Sequence, residues 1–136
     1  MRIITLIENS PGVPGCLYEH GLSFYIETAN HKLLVDTGAS DAFLYNASLL
    51  GIDLRTVDSL FLSHGHYDHG GGILSFAEIN PTAKIYMQQT AGLDYYAMEQ
   101  TGPKYIGINK AILHLKNLSL LHGDLELDDE LFVFSG

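Results

Sequence analysis

The period of apolar and polar positions changes several times along the chain, and these changes predict alternating strands and helices. Residues 2–8 are rich in β-branched side chains and predict a first strand. Two further runs, Leu22–Glu27 and Lys32–Asp36, flank the turn-forming segment Ala29–His31 and predict a hairpin. The beginning of the chain is therefore predicted to consist of short strands.

Two helices are predicted where apolar positions recur every three to four residues. Ser40 can cap a helix over Asp41–Leu50, and Gly51 is expected to end it. The buried stripe of this helix is predicted to contain Phe43, Leu44, Ala47 and Leu50. A second helix is predicted around Ile73–Ala77. Between the helices, Asp58–Ser63 has consecutive apolar residues and predicts a strand that is buried on both faces.

The remaining chain is predicted to contain one more long strand, one helix and a series of short strands. Lys84–Gln88 predicts a strand, and Leu93–Glu99 predicts a helix that Gly102-Pro103 ends. The pattern of residues 109–115 is ambiguous. Short strands are predicted at 118–121, 125–127 and 131–134. The order of these elements predicts an α/β layered fold and a single domain over residues 1–136.

The length and composition fit one folded domain with an apolar core. The chain has 136 residues, of which 46% are hydrophobic and 17% are charged. Seven Lys and Arg against sixteen Asp and Glu give a net charge of −9, which disfavours binding along a nucleic-acid backbone. The apolar stretch at the start is too short for a signal peptide, and no run approaches the roughly 18 apolar residues that cross a bilayer. Cys16 is the one cysteine, which excludes an internal disulfide and a thiolate zinc cluster. We therefore expect a soluble cytoplasmic protein with no nucleic-acid or membrane partner.

The densest group of chemically active side chains follows the strand predicted at 58–63. His64, His66, Asp68 and His69 fall within six residues. Neutral imidazole and carboxylate are good ligands for zinc, and they also suit iron or manganese. His64 and His66 are two apart in an extended segment, so both can reach one ion, while Asp68 and His69 can face a neighbouring ion. The pattern favours a site for one or two divalent cations over a chance cluster of surface histidines.

The spacing His64-x-His66-x-Asp68-His69 resembles the signature of the metallo-β-lactamase superfamily. The surrounding segments are similar to the branch of that superfamily that contains the methanopterin-pathway dihydropterin synthases. These segments are 19–24, 34–38 and 62–71.

The resemblance implies a four-layer αβ/βα sandwich with a dinuclear metal site between the two sheets. It implies that His64 and His66 bind the first metal and that Asp68 and His69 bind the second. Asp36 would be the buried carboxylate that supports the predicted loop His64–Gly72, the histidine loop, which carries these ligands. A metal-bound hydroxide would attack a small-molecule substrate, and Asp68 would act as the catalytic residue that orients it. The implied function is that of a metal-dependent hydrolase or a related transferase.

The resemblance covers nearly the whole chain but only about the first half of the family fold. The relatives supply further metal ligands downstream, and neither His114 nor His122 stands in the Gly-x-x-His context of those ligands. We therefore expect the N-terminal part of a longer protein or a natural short form. In either case an apolar face of the sheet needs a cover. The expected cover is a second copy in a homodimer or the missing C-terminal half.

Two other functions remain open on the sequence. The chain could be a catalytically incomplete metal-binding or interaction protein, because it carries few ligands. The turn Asp36-Thr37-Gly38 also resembles the active-site turn of dimeric aspartic proteases, although the histidine loop has no place in that fold.

The remaining candidates have ordinary structural explanations. Most of the other histidines are predicted to be turn or surface residues: His20, His31, His114 and His122. Several tyrosines fit both a substrate cleft and simple packing: Tyr67, Tyr95, Tyr96 and Tyr105.

Overall fold

The chain folds around one six-stranded mixed β-sheet, and the computed structural model describes residues 1–135. The strands are β1 (Arg2–Ile7), β2 (Ser23–Glu27), β3 (Lys32–Val35), β4 (Ser59–Phe61), β5 (Lys84–Gln88), β6 (Tyr96–Glu99), β7 (Gly102–Tyr105), β8 (Leu118–Leu121), β9 (Leu125–Glu126) and β10 (Phe132–Val133). The α-helices are α1 (Ala42–Leu49), α2 (Tyr67–Gly70) and α3 (Ile73–Ile79). Short 3-10 helices lie at Leu54–Thr56, Gln89–Gly92 and Lys110–His114.

The sheet order, β1-β2-β3-β4-β5-β8, places the ends of four parallel strands side by side. β1, β2 and β3 pair antiparallel, whereas β3, β4, β5 and β8 pair parallel. Parallel strands have their carboxyl ends at the same edge of a sheet, and this edge is where α/β folds bind ligands. The segments that follow β3 and β4 therefore meet at one edge.

One face of the sheet carries the core. Leu34, Leu60 and Ile85 are neighbours in register across β3, β4 and β5, and all three are fully buried. They belong to one cluster with Phe43 of α1 and Phe76 of α3, which are also fully buried. Burial of a large side chain of this kind stabilises a fold by about 1.5–3 kcal/mol, so α1 and α3 are held firmly on this face.

The other face of the sheet is apolar and only partly covered. Val35, Phe61 and Tyr86 are neighbours in register, and the rings of Phe61 and Tyr86 stack with centroids 5.0 Å apart. Val133 and Phe134 line the same cavity of about 310 Å³ as these residues. Phe134 itself is 74% exposed. The C-terminal segment therefore lies against this face without closing it.

Most of the predicted elements are confirmed, with ends that differ by one or two residues. The first helix, α1, has Asp41 and not the predicted Ser40 as its N-cap, although Ser40 Oγ accepts a hydrogen bond from Ala42 N. Gly51 follows the helix with φ +73°. The predicted loop after β4 contains α2 as one short helical turn. The ambiguous segment 109–115 is the 3-10 helix Lys110–His114.

The prediction of a helix at Leu93–Glu99 is wrong. Residues 96–105 form the hairpin β6–β7, in which Tyr96 pairs with Tyr105 and the two rings meet edge to face at 5.6 Å. Gly102 has φ +115°, a conformation that L residues rarely adopt, and it allows the chain to reverse here. A pair of tyrosines across a hairpin is more stable than a short helix with little to bury, because aromatic side chains favour cross-strand pairs.

No helix within residues 1–135 is long and apolar enough to cross a membrane.

The C-terminal segment is fastened to the turn between β2 and β3 by polar contacts. His31 Nδ1 lies 3.1 Å from Asp58 Oδ1, and His31 Nε2 lies against Asp128 Oδ2. Glu130 Oε1 accepts a hydrogen bond of 2.6 Å from Asn30 Nδ2. Both ring nitrogens of His31 face carboxylates, so the ring is best satisfied when it is protonated and donates from both. The hydrogen bond to Asp128, followed by the one to Asp58, raises the pKa of His31 above its ordinary value.

We expect the stability contributed by His31 to depend on pH. Because its pKa is raised in the folded state, the contribution is complete below the unfolded pKa of about 6.5 and is lost as the pH rises through the higher folded value. The difference in melting temperature between wild type and His31→Gln should be largest near pH 6 and shrink toward about pH 9. His122→Gln, which changes an exposed histidine, is the control. A difference that stays constant over this range would contradict the prediction.

Candidate functional site

Asp36 lies at the carboxyl end of β3 and organises the edge of the sheet. Its carboxylate is buried, and its backbone N donates a hydrogen bond of 2.9 Å to Phe61 O of β4. Oδ1 accepts from Ser63 N at 2.7 Å, and Oδ2 accepts from Ser63 Oγ at 2.7 Å and from His69 Nδ1 at 2.8 Å. Its φ of +56° lies in the left-handed region, where Asp is one of the few residues that occur. The buried carboxylate thus fixes the start of the histidine loop.

The hydrogen bonds of Asp36 also determine the tautomers of two histidines. His69 Nδ1 carries the hydrogen because it donates to a carboxylate, so its Nε2 presents a lone pair. Ser63 Oγ donates to Asp36 and lies 2.9 Å from His64 Nδ1, from which it can accept. His64 Nε2 then also presents a lone pair. An acceptor that holds Nδ1–H and leaves Nε2 free is the usual second partner of a histidine that binds a metal.

The histidine rings lie against one another at the end of β4. The ring centroid of His64 is 4.7 Å from that of His66 and 4.1 Å from that of His69. Burial, followed by the proximity of His69 and His66, lowers the pKa of His64. His64 is therefore held in the neutral form, which is the form that binds metals.

Asp68 lies beside these rings, with its Oδ2 3.5 Å from His69 Nε2. The tautomer imposed by Asp36 leaves no hydrogen on this nitrogen. A lone pair and a carboxylate that face each other repel unless a cation or an added proton lies between them. The pair is therefore suited to a cation.

The histidine loop is held by backbone contacts on both sides. Thr37 N donates to His69 O at 2.7 Å, and Tyr67 N donates to Ile106 O at 2.9 Å. His66 forms an isolated antiparallel bridge with Gly107, just after the β6–β7 hairpin. Backbone hydrogen bonds therefore tie the loop to the end of β3 on one side and to the segment after the β6–β7 hairpin on the other.

The four predicted ligands are neighbours, but they do not form a completed coordination set. Among residues 1–135, no three side chains of His, Cys, Asp or Glu are placed so that they could hold a metal ion as they stand. The chemistry of the donor set nevertheless fits a divalent cation, because it combines neutral imidazoles, a carboxylate and a buried orienting acceptor.

The structure adds three residues that contact the predicted ligands or Asp36, and the sequence patterns predicted none of these contacts. His20, predicted to be an ordinary surface histidine, has its Nε2 3.2 Å from Asp68 Oδ2. Ser63 connects Asp36 to His64. The ring of Tyr95 meets His66 edge to face at 5.4 Å. His20 and Ser63 had a signal in the sequence, since they lie within the segments 19–24 and 62–71 that carry the family resemblance, and Tyr95 was one of the tyrosines that fitted a substrate cleft.

The other histidines do not reach the site. His114 and His122 are exposed, as predicted. His31 is not a free turn residue, because it contacts two carboxylates at the far side of the sheet.

A mixed α/β sheet with a His and Asp loop at the carboxyl edge of its parallel strands is typical of metal-dependent hydrolases. The family model for the metallo-beta-lactamase superfamily matches residues 18–134. The chain belongs to the metallo-beta-lactamase superfamily.

Three relatives illustrate the similarity. A solved structure of a metal-dependent hydrolase of the beta-lactamase superfamily is 30% identical in sequence and has a TM-score of 0.77. The match covers 97% of this chain and 46% of the length of that hydrolase. The 7,8-dihydropterin-6-methyl-4-(beta-D-ribofuranosyl)-aminobenzene-5'-phosphate synthase of Methanocaldococcus jannaschii is 36% identical over 63% of this chain and 32% of its own length. The exodeoxyribonuclease WalJ of Streptococcus pneumoniae is 32% identical over 79% of this chain and 39% of its own length. The chain thus spans less than half the length of these relatives.

The family and the geometry together argue against the aspartic-protease hypothesis. That chemistry needs an aspartate that can share a proton with its copy across a dimer axis. Asp36 is instead buried beside β4 and is occupied by Ser63 and His69.

Proposed function

We propose that the chain is a metal-dependent hydrolase, or a related transferase, whose site binds one or two divalent cations. The proposed ligands are His64, His66, Asp68 and His69. The observation that carries the proposal is the network from Asp36, which leaves a lone pair on Nε2 of both His64 and His69. Zinc is the proposed metal, with iron or manganese as alternatives that share the same ligand types.

The residues of the chain have separate roles in this proposal. Asp36 holds the loop and orients His69 directly and His64 through Ser63. Asp68 is the proposed catalytic residue, because its carboxylate lies beside His69 and can accept a proton from a water molecule. A divalent cation supplies the remaining chemistry, since it lowers the pKa of water and polarises the oxygen of an ester, thioester, amide or phosphate.

A small molecule with an apolar part is the proposed substrate. The cavity of about 310 Å³ on the open face of the sheet reaches from Phe61 and Tyr86 to His64 and Tyr95. Pockets with apolar walls and a few polar groups at one end are typical of small-molecule sites. WalJ is named for an action on DNA, but a net charge of −9 disfavours that substrate for this chain.

The metal content and its dependence on His66 test the proposal. We expect one or two metal ions per chain in untagged protein, measured by elemental analysis for zinc, iron and manganese. His66→Ala should lose at least one ion and lower the hydrolysis of generic phosphodiesters and lactones by more than about 100-fold. His122→Ala removes an exposed imidazole away from the site and is the matched control.

The second proposed function is a catalytically incomplete metal-binding protein. It is favoured by the small number of candidate ligands, because the four proposed ones lie in one loop and the exposed His114 and His122 add none. Stoichiometric metal without turnover that depends on His66 would support this function and contradict the enzyme. Wild-type protein that binds no metal would contradict both.

The partly covered face of the sheet supports a further proposal about partners. Val35 and Phe61 are half-buried and Phe134 is exposed, so this face is suited to pack against more protein. We propose that a second copy or the second half of the family fold covers it, in a cytoplasmic protein whose Cys16 stays reduced. Light scattering on the sample used for metal analysis measures the mass, and a clean monomer at micromolar concentration would contradict the homodimer.

A further inference from the structure

The loop that carries His20 is attached to the site at several points. Glu19 Oε1 accepts from Ala39 N at 2.9 Å, and Glu19 Oε2 accepts from Ser40 Oγ at 2.6 Å. Gly21 N donates to Asn9 Oδ1 at 3.0 Å. Residues on both sides of His20 are therefore fixed, although its own side chain is 70% exposed.

Gly21 brings this loop into direct contact with the backbone of Asp68. A Cβ on Gly21 would lie 2.4 Å from Asp68 O, and the φ of Gly21 is +150°. Leu22 N lies 3.4 Å from the same oxygen, to which it donates. Only glycine allows so close an approach, so the sequence His20-Gly21 is suited to place an imidazole on Asp68.

We propose that His20 is a positioning residue that holds the Asp68 carboxylate for cation binding. His20 Nε2 lies 3.2 Å from Asp68 Oδ2, on which His69 Nε2 also converges at 3.5 Å. His69 has no hydrogen to give on that nitrogen, since Asp36 takes its Nδ1–H. His20 is thus the neighbour that can donate to Oδ2 and keep the carboxylate in one orientation.

The surroundings of His20 agree with a role at the site. Its ring lines a cleft of about 280 Å³ with Glu8, Asn9, Asp68 and His69. A partner that orients a ligand changes metal affinity by about 10- to 100-fold when it is removed. This inference rests on the proposed function, because Asp68 is positioned for a cation.

Metal titration of His20 variants is the first part of the test. We expect His20→Ala to weaken by about 10-fold the binding of the zinc ion that Asp68 is proposed to hold. Competition with a chromophoric chelator measures this affinity. His20→Gln, which keeps an N–H donor on the side chain, should recover most of that loss. The melting temperature of the metal-free variants should stay near that of wild type, because the ring is mostly exposed. His114→Ala, another exposed histidine, is the matched control.

Imidazole ¹⁵N spectra of the metal-free protein are the second part. At about pH 8, where histidines are mostly neutral, His20 should carry its hydrogen on Nε2, and its signals should move in Asp68→Ala while those of His114 stay. Unchanged His20 signals, or a wild-type zinc affinity in His20→Ala, would overturn the inference. A His20 shift in a protein that binds no metal would overturn the proposed function and leave the contact standing.

Discussion

Asp36→Asn is expected to fold but to bind zinc about 10- to 100-fold more weakly than wild type. Asn tolerates the left-handed backbone at this position, so the turn after β3 can form. Its Oδ1 can still accept from Ser63 N, but its amide nitrogen takes the place of the oxygen that accepts from His69 Nδ1. His69 must then turn its Nδ1 into an acceptor and carry the hydrogen on Nε2. The nitrogen proposed to bind the metal is thereby occupied.

Two measurements check this variant. Competition with a chelator measures how much zinc affinity the variant loses. Imidazole ¹⁵N shifts report the tautomer of His69 in the metal-free protein. Asp41→Asn, which changes an exposed aspartate beside α1, is the matched control and should leave the zinc affinity and the His69 tautomer unchanged. Wild-type affinity in Asp36→Asn would contradict the assigned network.

Asp36→Ala is expected to lose stability as well as metal binding. It leaves Ser63 N and His69 Nδ1 without their buried acceptor and forces Ala into a left-handed conformation. Removal of one partner from a buried charged network costs about 3–5 kcal/mol. Urea denaturation at pH 7 measures this loss against Asp36→Asn, which should keep most of the free energy of unfolding. Equal stability of the two variants would contradict the prediction.

Gly71→Ala is expected to destabilise the protein by about 3 kcal/mol or more, because a new side chain has no room. A Cβ on Gly71 would lie 2.2 Å from Ala39 O and 2.6 Å from Tyr67 O, and both are backbone atoms. Its φ is −65°, so the cost is steric and not conformational. The loop after β3 and the histidine loop would be pushed apart, and zinc affinity should fall together with the free energy of unfolding.

Gly12→Ala is the matched control for this prediction. A Cβ on Gly12 meets no atom within 4 Å, so its free energy of unfolding should stay within about 0.5 kcal/mol of wild type. Urea denaturation of the two variants and wild type provides the comparison. A Gly71→Ala variant as stable as Gly12→Ala would show that the two loops are not packed as described.

The sequence was sufficient for features that depend on residues close together along the chain. Consecutive apolar residues in β4 predicted a strand buried on both faces; Leu60 is fully buried, whereas Phe61 on the other face is half-buried. The spacing from His64 to His69 carried both the metal hypothesis and the family resemblance, and the family is confirmed. The helix predicted at Leu93–Glu99 failed because local periodicity does not reveal the cross-strand pair of Tyr96 and Tyr105.

The contacts that organise the candidate site lie far apart in sequence, and only the tertiary structure decided them. Asp36 reaches Ser63 across 27 positions because β3 and β4 are parallel neighbours and end at the same edge. His20 reaches Asp68 because Gly21 allows two backbones to touch. Strand order and close approach depend on how the whole core packs. The amino-acid sequence therefore determined which side chains are available for chemistry. The tertiary structure decided which neighbouring residues orient those side chains.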